Sequence, residues 1–167
     1  DHIAHGSINL HNIFIKTSSG SLKLRFPFTW LSCRNIPSSS ININQYTSPE
    51  RLDGIFEPCI DIWSLGICLL ELLTLQPAYS ECQTPQELIS TISSFTPPQS
   101  LSLVQNKAAE TLIRWCLSPA TSRPNINQVL ENQIFTEALQ MPLQQSQETD
   151  GSIQIILQND NENENTK

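Results

Sequence analysis

The stretch from Ile60 to Leu75 constrains the fold of this chain more than any other part of it. Apolar residues occupy nearly every face of the helix that this stretch would form. Such a helix must be covered on most sides, so the pattern predicts a buried central helix with other segments packed around it. Pro77 is expected to end the helix. The apolar run is shorter than the roughly 18 uninterrupted apolar residues of a membrane span, and it contains Glu71, so no span is predicted.

The N-terminal part of the chain has strand character instead. Residues 12–16 and 21–25 are two short β-prone runs, separated by the turn-forming residues 17–20. This arrangement predicts a β-hairpin. Residues 26–47 are rich in Ser, Asn and Pro without a sustained period, which predicts an extended loop.

Helix signals continue after the central helix. Thr84, Pro85 and Glu87 provide a capping hydroxyl, a first-turn proline and a first-turn acid, so a helix is predicted from there to about Phe95. A second helix is predicted over 107–117, with one face formed by Ala108, Leu112, Trp115 and Cys116. Residues 118–123 are predicted to be a loop, and Pro124 to start a last helix that reaches about Leu139.

The composition changes near the C-terminus. Residues 139–167 are acidic and rich in Gln and Asn, which predicts a disordered tail after a single domain over 1–138. Residues 152–157 form a short β-prone island within this tail. This island could pair with an exposed strand edge or with a partner, or it could be coil, and coil is favoured.

Charge and cysteine content exclude several functions. The net charge is −7 and no dense Lys/Arg cluster occurs, so nucleic-acid binding is not expected. None of the five cysteines is spaced as C-x-x-C, which argues against zinc, and Cys68 and Cys116 are predicted to be small core residues. The odd cysteine number and the absence of signal-peptide character in residues 1–5 predict a reducing, cytoplasmic location.

Four segments, in this order, are similar to motifs of one family. Residues 5–14 resemble the protein-kinase catalytic loop H-R-D-L-x-x-x-N, and Ser48-Pro49-Glu50 resembles A-P-E. Residues 61–66 match the start of the central helix of that family, and residues 116–124 resemble the loop whose arginine pairs with the A-P-E glutamate. The resemblance covers roughly residues 1–138. The loop sequence His5-Gly6-Ser7 also resembles the kinase-homology domain of receptor guanylate cyclases. The Ser/Thr-type helix and His11-Asn12-Ile13 after the loop resemble TBC-domain-containing kinase-like proteins, and both alternatives stay open.

The resemblance implies a mainly α (α+β) fold, namely the C-terminal lobe of a Ser/Thr-type protein kinase with a small β-hairpin and a buried central helix. It also implies structural roles for several residues. Asp61 would accept hydrogen bonds from the catalytic-loop backbone, His5 would pack against the Phe of D-F-G, and Glu50 would form a buried ion pair with Arg123. Trp63 and Gly66 would belong to the central helix.

The acidic residues that phosphoryl transfer requires are missing. Ser7 stands at the position of the catalytic Asp, and its neutral hydroxyl has far too high a pKa to act as a base at pH 7. The metal-binding Asp of D-F-G corresponds to Arg25 or to Phe26, depending on hairpin length, and neither is an acid. Asn12 is retained, but a neutral amide without carboxylates is a poor magnesium ligand. Residues 2–49 contain no Asp or Glu at all.

The sequence therefore predicts a pseudokinase that acts as a protein-interaction or allosteric scaffold, with a protein partner and no cofactor. The alternative is an atypical protein kinase that transfers phosphate from ATP to protein Ser/Thr when complete. ATP and Mg²⁺ are implied only by this alternative.

Overall fold

A computed structural model of the protein describes residues 3–25 and 42–135. This part is mainly helical with one two-stranded antiparallel sheet, as predicted. Its elements are the strands β1 (Ile13–Lys16) and β2 (Ser21–Leu24), the helices α1 (Pro49–Leu52), α2 (Cys59–Thr74), α3 (Pro85–Ser93), α4 (Lys107–Cys116) and α5 (Ile126–Leu130), and 3-10 helices at Leu10–Asn12 and Gln99–Leu103. Most of the predicted loop at 26–47 and all of the predicted tail at 139–167 lie outside the described residues.

The predicted hairpin is confirmed. Ile13 pairs with Leu24 and Lys16 with Ser21, and the turn closes with a hydrogen bond from the Gly20 amide to the Lys16 carbonyl at 2.8 Å. Gly20 has a φ of +65°, a conformation that glycine adopts without a steric penalty. Because side chains alternate along a strand, the pairing divides the hairpin into two chemically different faces.

The helix α2 forms the centre of the core, as predicted. Trp63, Ile67 and Leu70 are almost fully buried. Helix α4 packs closely against α2, because a Cβ atom on Gly66 would lie only 2.7 Å from Cys116 Cβ. The missing side chain at position 66 therefore sets the distance between these two helices.

The end of α2 agrees with the prediction to within one residue. The helix ends at Thr74, before Pro77, because Leu75 takes a left-handed conformation (φ 54°) and its amide donates to the Glu71 carbonyl at 2.8 Å. The predicted burial was wrong at two positions, since the side chains of Leu72 and Leu73 are more than half exposed in the described structure. The segments that cover α2 leave this side of its last turn open.

The start of α3 is confirmed, since Thr84 Oγ1 accepts a hydrogen bond from the Glu87 amide at 3.1 Å. The predicted face of α4 was wrong at one position. Ala108 is exposed and Ala109 is buried, with Leu112, Ile113 and Cys116 completing the buried face.

The last predicted helix starts later and is shorter than expected. Asn125, not Pro124, precedes the first turn of α5, and it forms a reciprocal capping box with Gln128. Helix α5 ends at Leu130, and the chain is helical again over 133–135. Residues 136–139 of the predicted helix lie outside the described part.

Candidate functional site

The loop before β1 is attached to the core through Asp61, in the first turn of α2. Asp61 Oδ2 accepts a hydrogen bond from the His5 amide at 2.6 Å, and Asp61 Oδ1 accepts one from the Gly6 amide at 2.8 Å. Burial raises the pKa of the Asp61 carboxyl group, while the two backbone donors act in the opposite direction. Both oxygens of this acid are thus occupied in holding the loop.

Gly6 is packed against an aromatic ring. It has a φ of +72°, and a Cβ atom at this position would lie 2.4 Å from Phe56 Cε2. The ring of Phe56 therefore fills the space that any side chain at position 6 would need. The Arg51 guanidinium in turn lies 5.1 Å from the centre of the Phe56 ring.

Ser7 and Asn12 face each other across the loop. Asn12 Nδ2 donates to both the Ser7 carbonyl oxygen and Ser7 Oγ, each at 2.9 Å. Asn9 Oδ1 accepts from the Asn12 amide at 3.1 Å and caps the short 3-10 helix that leads into β1. All three polar side chains of this cluster are neutral, so it contains neither a base nor a strong ligand for a divalent cation.

Arg25 is brought next to the same cluster by the hairpin. Its amide donates to the Asn12 carbonyl at 2.7 Å, and its own carbonyl oxygen lies 2.9 Å from His5 Nε2. The guanidinium lies 5.0 Å from the centre of the Phe14 ring. Of the two residues predicted for the metal-binding position, Arg25 adjoins Asn12, whereas Phe26 lies outside the described residues. The predicted packing of His5 against the Phe of D-F-G also falls on residues outside the described part of the chain.

Glu50 and Arg123 form an ion pair between the start of α1 and the loop before α5. Arg123 Nη1 and Nη2 donate to the two Glu50 carboxylate oxygens, both at 2.9 Å. Further donors of Arg123 bond to the carbonyls of Cys59 and Ser118, and its guanidinium lies 5.1 Å from the centre of the Trp63 ring. This arginine therefore connects α1, α2 and the end of α4.

The hydrogen bonds to the buried carboxylate of Glu71 were not predicted. Glu71 is buried in the last turn of α2, where it accepts hydrogen bonds from the Tyr46 hydroxyl and from the Ala78 amide, the latter at 2.9 Å. Burial and the Glu71 carboxylate both raise the pKa of Tyr46. An acid within an otherwise apolar helix was the sequence signal for a buried polar contact, but nothing in the sequence identified Tyr46 as its partner.

A groove of about 860 Å³ lies beside the loop, between the start of α2 and the start of α5. Its wall is mostly apolar, and the charged residues in it are Asp61 and Arg123. Both are already engaged as described above, so neither charged side chain of this groove is free to act on a ligand.

Two further observations bear on chemistry and location. Within residues 3–25 and 42–135, no group of three or more His, Cys, Asp or Glu side chains is arranged to hold a metal ion. None of the helices in this part is long and apolar enough to cross a membrane.

The chain belongs to the protein kinase domain family, because the model of that family matches residues 1–135. Proteins similar to this chain include the probable serine/threonine-protein kinase WNK10 of Arabidopsis thaliana. The two are 29% identical over 80% of this chain, which corresponds to 26% of the length of WNK10. They also include the serine/threonine-protein kinase Wnk of Drosophila melanogaster (28% identical over 81% of this chain and 6% of its own) and WNK4 of Homo sapiens (25% identical over 89% and 12%).

The chain thus spans about a quarter or less of the length of these relatives. The finer resemblance to receptor guanylate cyclases or TBC-domain-containing kinase-like proteins stays a prediction.

Proposed function

We propose that this chain is the C-terminal lobe of a catalytically inactive kinase-like domain and that it acts as a protein-interaction or allosteric scaffold. The observation that carries the proposal is the hydrogen-bonded pair of Ser7 and Asn12. By the resemblance of the loop, Ser7 stands where the family needs a carboxylate to accept the proton of the attacking hydroxyl. Its Oγ instead accepts a hydrogen bond from Asn12 Nδ2 at 2.9 Å, which supports a structural role for both side chains.

The electrostatics of the loop support inactivity. Phosphoryl transfer requires magnesium, which carboxylates hold on the phosphates of ATP. Here the residue beside Asn12 is Arg25, whose positive charge repels a divalent cation. Asp61 contacts the loop, but both of its carboxylate oxygens already accept hydrogen bonds from the loop backbone. Loss of an acid–base group by itself lowers a rate about 10²–10⁴-fold.

The retained residues support a structural role for the lobe. His5, Asp61, Trp63 and Gly66 hold the loop and the central helix, and Glu50 with Arg123 connects the surrounding segments. The proposed unit comprises residues 1–138, followed by an acidic Gln/Asn-rich tail over 139–167. The proposed location of the chain is the cytoplasm, and its proposed partner is a protein. No cofactor and no nucleic acid are part of this proposal.

The test uses the full chain and two measurements. Thermal unfolding is followed with ATP or ADP, in Mg²⁺ and in EDTA, and labelled phosphate transfer is followed from ATP to a generic Ser/Thr substrate. We expect no magnesium-dependent shift of Tm by nucleotide and no transfer, either for the wild type or for Ser7→Asp. Metal-dependent transfer by the wild type would refute the proposal.

The names of the relatives favour one competing function, an atypical protein kinase that uses an acid from elsewhere in a longer protein. That function predicts labelled phosphate incorporation that disappears in Asn12→Ala. The matched control is Asn127→Ala, which removes an exposed amide in α5. Equal activity in both variants would argue for a contaminating kinase.

A further inference from the structure

Two groups of the core contact the loop at Gly6. The Gly6 amide donates to Asp61 Oδ1 at 2.8 Å, and the amide of His5 donates to Asp61 Oδ2 at 2.6 Å. A Cβ atom on Gly6 would lie 2.4 Å from Phe56 Cε2 and 2.5 Å from Phe56 Cζ. Favourable contacts between carbon atoms need ~3.5–4.0 Å. The carboxylate of Asp61 therefore holds the backbone at position 6, and the Phe56 ring fills the place where a side chain would start.

The conformation of Gly6 decides where Ser7 points. Gly6 has a φ of +72°, in the left-handed region that residues with a Cβ atom adopt only at a steric cost. Ser7 follows directly, and both its carbonyl oxygen and its Oγ accept hydrogen bonds from Asn12 Nδ2, each at 2.9 Å. Rotation about the Gly6 backbone would carry both acceptors away from Asn12. The hydrogen-bonded pair of Ser7 and Asn12 therefore depends on how Gly6 is held.

The Phe56 ring is in turn supported by a buried residue. The Arg51 guanidinium lies 5.1 Å from the ring centre, within the ~6 Å at which a cation is attracted to an aromatic face. Arg51 is buried in α1, the helix whose Glu50 is bound by Arg123. The ring is thus supported by a helix that is itself fixed to the core.

Position 6 corresponds to the arginine of H-R-D, by the resemblance of residues 5–14 to the kinase catalytic loop. Kinase activation loops are ordered by phosphorylation through new pairs between an arginine and the phosphorylated residue. Gly6 has no side chain that could form such a pair, and the Phe56 ring leaves no space for one. The contacts of Asp61 and Phe56 hold the loop without a phosphate.

We propose that Phe56 is a positioning residue, which keeps residues 5–12 in the conformation that turns Ser7 toward Asn12 and makes the order of this loop independent of phosphorylation. The inference rests on the proposed function, because a loop with a structural role needs a permanent support where an active kinase uses a reversible one. Asp61 alone is the competing explanation. Its two hydrogen bonds fix the amides before Ser7, and they would remain if the ring were removed.

NMR of the full chain, after phosphatase treatment, tests the role of Phe56. The variant Phe56→Leu keeps an apolar side chain and removes the ring. We expect the Gly6 amide and the Nδ2 protons of Asn12 to exchange with solvent about tenfold faster in this variant, because local opening of the loop becomes easier. Exchange at the wild-type rate at both positions would show that Asp61 is sufficient, which would overturn the proposal.

Phe95→Leu is the matched control. The Phe95 ring contacts Trp63 edge-on, with 6.4 Å between the ring centres, so the same substitution removes an aromatic contact elsewhere in the core. We expect the exchange of Gly6 and Asn12 to stay within about twofold of the wild type in this control. Equally accelerated exchange in both variants would mean that the loop responds to general destabilisation, and it would overturn a specific role for Phe56.

Two measurements on the wild type decide the matter if Phe56→Leu does not fold. Nuclear Overhauser contacts between the Phe56 ring protons and the Gly6 α protons should be present in the phosphatase-treated chain, and Gly6 should exchange at the same rate before and after treatment. Protection that needs phosphorylation, or the absence of these contacts, would overturn the proposal. Metal-dependent phosphate transfer would instead refute the proposed function, so the two failures are distinguishable.

Discussion

Arg123 and Glu50 lie 73 positions apart in the chain, yet both terminal nitrogens of the guanidinium donate to the carboxylate at 2.9 Å. The side chain of Arg123 is completely buried and that of Glu50 nearly so. The pair, together with the Cys59 and Ser118 carbonyls, connects segments that local interactions cannot bring together. It is the longest-range polar contact described above.

We expect Arg123→Met to lower the free energy of unfolding by about 3–5 kcal/mol, because Glu50 would be left as an unpaired, mostly buried charge. Urea denaturation measures this loss. Arg114→Met is the matched control, since Arg114 is half exposed and pairs with Glu110, and its effect should stay below about 1 kcal/mol. Adding Glu50→Gln to Arg123→Met should recover part of the loss. Equal effects of the two arginine variants would contradict a buried role for Arg123.

Gly6→Ala should destabilise the protein more than Gly20→Ala does. Both glycines have positive φ, so each substitution costs about 1–2 kcal/mol in backbone strain. Only at position 6 does the new Cβ meet a ring, because nothing lies within 4 Å at Gly20. We expect overpacking to add about 1–3 kcal/mol at Gly6, and Phe56→Ala to remove this extra part. Urea unfolding of Gly6→Ala and Gly20→Ala, each in the wild type and in the Phe56→Ala background, tests it, and the same cost at both glycines in the wild-type background would contradict the Phe56 contact.

The raised pKa of Asp61 predicts an unusual pH dependence. A carboxyl group whose pKa is higher in the folded state binds more protons there, so its contribution to stability falls as pH rises. That contribution is complete below the unfolded pKa of about 3.9 and decreases as pH rises through the folded value. Wild type should therefore lose stability relative to Asp61→Asn as pH increases over this window. Asp53→Asn, at an exposed acid, provides the comparison. If the free energy of unfolding of the wild type instead rises with pH relative to that of Asp61→Asn, the two backbone donors outweigh burial.

Cys68 and Cys116 should resist alkylation in the native protein. Both thiols are almost fully buried, and burial raises the pKa of each to about 12, so very little thiolate is present at pH 8. Cys59 and Cys82 are half-buried and should react with iodoacetamide before Cys68 and Cys116. Mass spectrometry of the labelled peptides with time gives the order, and fast labelling of Cys116 in native buffer would contradict the α2–α4 packing.

Local signals explain the correct sequence predictions. The turn between 17 and 20, the cap at Thr84 and the apolar length of α2 depend on neighbouring residues alone, and all three are present in the structure. The errors fall where a distant segment decides the outcome. The position of other elements decides whether Ala108 or Ala109 is covered. It also decides whether Leu72 and Leu73 are buried.

The sequence by itself determined the helices and the hairpin, the family motifs and the absence of any acid from residues 2–49, because each of these is a property of adjacent residues. Only the tertiary structure decided that Phe56 occupies the space beside Gly6, that Tyr46 bonds to Glu71, and that Arg25 adjoins Asn12. Such contacts follow from how separate segments pack. Packing distances and side-chain directions are set by the whole core at once, so no local pattern encodes them.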